Sequence, residues 1–254
     1  DEVGIKSLDT KEDFKKYMAA ASGNGRYGYG GSWEKTYVFN EIAQFVNMFG
    51  GDYFDWTKPE NKEAIQFLHD MVKNNQTPID QIADKYEQMN PKANDGKYGC
   101  WFMWGLGTDY AKADMLGADK IHMAMVPSMT SNGQRAIFTD SWSYVLNTAS
   151  KNKDAAIKFL KYMASEGGME ASYKAFDRYP ARKDVAAKIV PDTDPAKEMY
   201  SRYAAECNVN GRPMLPQTME FITDMGTIFQ SCMKGEISVD DFCTKAQELV
   251  NKYK

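Results

Sequence analysis

Several tryptophans and tyrosines of this 254-residue chain stand beside charged residues and at the ends of periodic segments rather than in helical stripes. Trp33 is followed by Glu34, Trp104 ends a dense apolar run, Asp140 precedes Trp142, and Tyr179 precedes Arg182. A flat ring offers a face to the C–H bonds of a sugar. Neighbouring carboxylate, amide or guanidinium groups hold the sugar's hydroxyls, so this pairing is the composition of a carbohydrate-binding surface. The candidate ligand-facing set is therefore Trp33, Glu34, Trp104, Asp140, Trp142, Tyr179 and Arg182. Rings of these types also fill cores, and Trp142 is as able to narrow a cleft as to line it. Carboxylates near rings describe glycosidases too, whose paired carboxyl groups stand about 5–10 Å apart. A carbohydrate-active enzyme is the alternative.

Other chemistries find little support. No Ser-His-Asp spacing, GxSxG, HExxH or Walker motif is present, and the two histidines, His69 and His122, sit among apolar residues and read as structural. No catalytic residue, cofactor or metal is expected. The stretch Gly23-Asn24-Gly25-Arg26-Tyr27-Gly28 satisfies GxGxxG, but it follows a helical pattern instead of a strand and opens no helix, so it is not read as a phosphate loop. Four cysteines form no CxxC pair. Cys232 and Cys243 flank the turn Lys234-Gly235-Glu236, which leaves a hairpin disulfide and four buried thiols both open. The net charge of -4 comes from 35 acidic and 31 basic residues well mixed along the chain, which gives no footprint for nucleic acid. Apolar runs such as Ala43 to Phe49 fall well short of the roughly 20 residues needed to cross a bilayer. Asp1-Glu2 does not open an export signal, so localisation has to be read elsewhere.

The elements that position these residues follow from periodicity, and 43% hydrophobic residues suffice to fill a core. Ser7 to Ala21 reads as a helix with Asp9-Thr10 as cap, Tyr27 and Tyr29 as a short strand, and Glu34 to Met48 as a helix stopped by Gly50-Gly51. Pro59 to Asn74 is a further amphipathic helix, with Ile65, Leu68, Met71 and Val72 on one face. Tyr98 to Trp104, Ile121 to Val126 and Ala136 to Leu146 are strand-like, and from Asn152 the pattern is helical nearly to the end. Strands alternating with helices place the chain in the α/β class.

The closing segment carries a resemblance. Arg212-Pro213-Met214-Leu215-Pro216, a helix to Met233, then Lys234-Gly235-Glu236-Ile237-Ser238-Val239-Asp240-Asp241 and a last helix from Phe242 to Tyr253 resemble the end of the family 1 extracellular solute-binding proteins of ABC importers, the group typified by maltose-binding protein. Phe49-Gly50-Gly51-Asp52, Gly96-Lys97-Tyr98 to Trp104, Asn147 to Ala156 with Phe159-Leu160, and Tyr179-Pro180-Ala181-Arg182 match further landmarks in the same order. The resemblance implies a type II periplasmic-binding-protein-like fold of two lobes that close on a sugar, without catalysis, and hand it to a membrane permease. It implies an extracytoplasmic place, in the periplasm or on a lipid anchor. It also implies that most of the first lobe is missing here: 1–138 and 196–254 correspond to the second lobe, 139–146 to the hinge crossing and 147–195 to a segment of the first. The apolar face with Ala156, Phe159, Leu160 and Met163 is then expected to need cover from a missing N-terminal lobe, another chain or another copy.

Overall fold

The computed structural model describes residues 4–102, 123–139, 143–176 and 178–254. Trp104, Asp140, Trp142 and His122 lie outside them. The described residues fall into two compact units, one of 4–102, 124–139 and 203–254 and one of 143–176 and 178–202 with Met123.

In the first unit α1 (Lys11–Ala21) starts at Thr10, whose hydroxyl accepts the Asp13 amide as the cap. The helix leads into β1 (Tyr27–Tyr29), which pairs in parallel with β2 (Tyr98–Cys100), Tyr27 opposite Tyr98. The helix expected from Glu34 begins only at Phe39: residues 35–38 form hydrogen-bonded turns, and α2 runs Phe39–Met48. It ends as the glycine pair requires, with Gly50 at φ 81° and the Gly51 amide donating to the Val46 carbonyl at 2.9 Å. α3 (Pro59–Lys73) carries proline at its first position, as expected. A 3-10 turn (Ile79–Ala83) and α4 (Tyr86–Asn94) follow.

β3 (Arg135–Thr139) pairs in parallel with β4 (Cys207–Gly211), Arg135 opposite Cys207 and Thr139 opposite Gly211. β4 is a correction within the stretch read as helical from Asn152 nearly to the end. Its sequence, Cys-Asn-Val-Asn-Gly, has little strand propensity, and the ladder with β3 selects the conformation. Residues 123–127 carry no strand, and Ser128 meets Thr10 through an isolated bridge. α9 (Thr218–Met233) and α10 (Val239–Tyr253) close the unit as a hairpin, and Ser238 and Asp241 form a capping box. No disulfide joins any of the four cysteines, and burial pushes Cys232 up to about 12 and Cys243 to about 11.

The core lies where α2, α3, α9 and α10 meet, with Phe39, Ile42, Phe45, Ile65, Phe221 and Phe229 buried. α2 is buried on every side, and Asn40, Glu41 and Gln44 on it are tied to partner elements. Gln44 acts as a surrogate strand: its Nε2 donates to the Ala136 carbonyl at 3.0 Å and its Oε1 accepts the Phe138 amide at 2.7 Å. Glu41, 4% exposed, accepts the Tyr29 hydroxyl at 2.5 Å, the Ser32 amide at 2.8 Å and the Trp33 indole at 2.9 Å.

The second unit holds α5 (Lys153–Met163), α6 (Glu166–Phe176), α7 (Lys183–Ile189) and α8 (Pro195–Glu206), the last crossing the unit boundary between residues 202 and 203. Its core is small, with Val185, Ala186, Val190 and Met199 buried. α5 buries no residue, and Phe159 and Tyr162 are each 53% exposed. No helix among the described residues is long and apolar enough to cross a membrane.

Burial raises the Glu41 carboxyl above its ordinary value against the lowering effect of its three donors. A raised native value stabilises the fold most below the unfolded-state value near 4.3, and that contribution is lost as pH rises through the native value. The wild-type stability minus that of Glu41→Gln, from urea melts at a series of pH values, is therefore expected to fall as pH rises above about 4. A difference that is flat or climbs with pH contradicts this.

Candidate carbohydrate-binding face

The loop after β1 is placed by three side chains from distant elements. The Gln81 side chain accepts the Gly31 amide at 2.8 Å, Gln230 of α9 donates to the Trp33 carbonyl at 2.8 Å, and Glu41 holds Ser32 and Trp33. Gly226 lets α9 come against the following turn, since a Cβ there would stand 2.1 Å from the Lys35 carbonyl oxygen. The turn delivers Tyr37 and then Asn40, at the start of α2, to one edge of the unit.

A polar and aromatic cluster forms at that edge. Tyr37 and Tyr86 meet edge to face with centroids 5.2 Å apart, and the Lys85 ammonium lies 5.5 Å from the Tyr37 ring centre. Arg212, just past β4, donates from Nη2 to Oδ1 of Asn40 at 3.2 Å. The Asn40 side chain lies beside the Tyr86 hydroxyl. Burial is the main cause that drives the Tyr86 phenol far above its ordinary value, so it stays a neutral O–H. Trp101, Tyr27 and Tyr86 pack on the small core of Met89, Ala93 and Tyr98. Rings, an oriented amide and a guanidinium are the groups that engage the C–H faces and hydroxyls of a polyol.

Of the residues expected from sequence, Trp33 is corrected. It is 0% exposed, its indole N–H is given to Glu41, and its ring meets Phe229 edge to face at 5.2 Å, so it belongs to the core. Glu34, next to it, is half-buried, and its Oε2 accepts from the amide and hydroxyl of Thr36. Tyr179 and Arg182 lie in the second unit. The Tyr179 ring packs on Tyr200 at 4.5 Å, and Arg182 donates to both Asp184 oxygens, at 3.1 and 2.6 Å. Tyr37, Asn40, Tyr86 and Arg212 were missed. Asn40 and Arg212 are 172 positions apart, and the only local signal was an asparagine at the head of a helix that is buried all round.

Asn40→Ala removes the acceptor of Arg212 in a buried setting. Its expected cost is about 1–3 kcal/mol of stability, read from urea melts. Wild-type stability in the variant removes Asn40 from its organising role.

Solved structures with the same fold share little sequence with this chain. T. maritima MalE3 with bound maltose matches at 18% identity with a TM-score of 0.81, covering 97% of this chain and 66% of that one. A solute-binding protein of an ABC transporter from Thermotoga lettingae TMO, bound with alpha-D-tagatose, matches at 22% identity and a TM-score of 0.80, covering 97% and 65%. The maltose/maltodextrin-binding domain MalE from Bdellovibrio bacteriovorus, bound to maltotriose, matches at 16% and 0.78, covering 97% and 67%. The fold is of the type II periplasmic-binding-protein kind, and the chain spans about two-thirds of the length of these structures. The model of the bacterial extracellular solute-binding protein family matches residues 1–170, and the chain belongs to that family.

Proposed function

We propose that the protein binds a sugar reversibly outside the cytoplasm and delivers it to an ABC importer, with no bond made or broken in the sugar. The observation that carries this reading is the Arg212–Asn40 hydrogen bond beside the Tyr37–Tyr86 ring pair, an oriented guanidinium and amide next to aromatic rings. It occurs in a chain of the solute-binding family. Maltose, alpha-D-tagatose and maltotriose in the similar structures support a polyhydroxylated ligand. The ligand set is Tyr37, Asn40, Tyr86 and Arg212, with Glu34, Trp104, Asp140, Trp142, Tyr179 and Arg182 retained from the sequence. Trp33 supports this set from the core without touching the ligand. Residues 1–138 and 196–254 serve as one lobe, 147–195 as part of the other, and 139–146 as the crossing. The partner is a membrane permease, reached from the periplasm or from a lipid anchor.

Glu41 offers no acid–base chemistry to a hydrolase, because its oxygens are sealed under three donors. A thermal-shift screen of the intact protein with mono- and oligosaccharides is expected to find at least one sugar that raises the melting temperature, with stabilisation of about 2.7 kcal/mol at one hundred times its Kd. Chromatography after incubation is expected to recover that sugar unchanged. Release of shorter sugars overturns the transport reading.

A further inference from the structure

The methionines of the first unit divide by burial into two groups. Met18, Met48 and Met225 are 0% exposed, and Met71, Met89 and Met233 no more than 3%. Met214, on the loop between β4 and α9, is 95% exposed, and Met219, in the first turn of α9, is 54% exposed. The loop that carries Met214 is held in place. Pro213 and Pro216 flank it, and the Thr218 hydroxyl accepts the Leu215 amide at 3.1 Å and donates to the Leu215 carbonyl at 2.7 Å. Its thioether is therefore offered to water by a pinned backbone. A peroxide oxidises a thioether only by direct contact with the sulfur lone pair, so exposure decides which methionine reacts.

We propose that Met214 is the preferred site of reversible oxidation of this unit by hydrogen peroxide, with Met219 next. The S–O bond forms as the O–O bond breaks, and two electrons pass from sulfur to the peroxide. The departing hydroxide takes the proton from the transferred oxygen and leaves as water. The product, a methionine sulfoxide, is returned to the thioether by methionine sulfoxide reductases. At 95% exposure Met214 has no packed surroundings to lose, so its sulfoxide leaves the fold intact. The same change at Met225 would set a polar S–O group in the buried core. This modification is independent of the sugar-binding reading.

The sequence supplies its own internal control. Arg212 is followed by Pro213, so trypsin leaves Tyr203 to Lys234 as one peptide that carries Met214, Met219, Met225 and Met233. The intact folded protein is treated with limiting hydrogen peroxide, quenched and digested, and each sulfoxide is located by tandem mass spectrometry. Met214 is expected to oxidise at least about tenfold faster than Met225 or Met233, with Met219 in between, because the core pair must wait for the structure to open. In urea the four are expected to react at similar rates. The protein oxidised at Met214 is expected to melt where the untreated protein does and to be restored by the reductases. Met214→Leu is expected to fold normally and to lose the fastest phase of oxidation. Core methionines that react as fast as Met214 in the folded protein, or a melting temperature that falls with the Met214 sulfoxide, overturn the proposal.

Discussion

A carboxylate enclosed by three neutral donors sets the geometry of the first unit. Taking Glu41 out of water is costly, and the cost is offset only while the Tyr29 hydroxyl, the Ser32 amide and the Trp33 indole all remain in place. The three donors come from β1 and the loop that follows it, and the acceptor comes from α2. The knot therefore joins strand, loop and helix at one point. Gln81 and Gln230 then hold the same loop from a 3-10 turn and from α9. Tyr37 and Asn40 leave this anchored segment, so the candidate face inherits its rigidity from a buried carboxyl group.

Legibility in the sequence tracks how local the deciding physics is. The stop at Gly50-Gly51, the start at Pro59 and the closing α9–α10 hairpin are settled by residues a few positions apart, and the structure keeps them. β4 was invisible because its partner is β3, some seventy positions earlier, and its own composition favours loops. Trp33 misled for an instructive reason. The glycines before it look like an exposed loop, yet a Cβ on Gly31 would stand 2.7 Å from the Trp33 indole nitrogen, so the glycine is there for close packing. The clearest missed signal was α2, whose Asn40, Glu41, Gln44 and Asn47 lie on a buried helix, where every polar group needs a partner. Those partners were the route to Arg212 and to the candidate face.

The second unit shows the opposite balance. A handful of buried side chains and surface ion pairs such as Lys188–Glu166 at 2.7 Å hold its helices, while α5 presents Ile157, Phe159 and Tyr162 to solvent. Exposed ion pairs contribute little. On α5, which buries none of its residues, Phe159 is exposed and Ala156, Leu160 and Met163 are half-buried. Stability in the described chain is concentrated in the first unit, where aromatic residues interlock around α2.

The Glu41 knot belongs to the buried core of the first unit and is not a surface loop that happens to be well placed. Native-state hydrogen exchange of the wild-type protein tests this directly, through the Ser32 amide and the Trp33 indole N–H. Both protons are expected to exchange only by global unfolding, with the same free energy as the central amides of α2. Rapid exchange at these two positions while α2 stays protected contradicts the account.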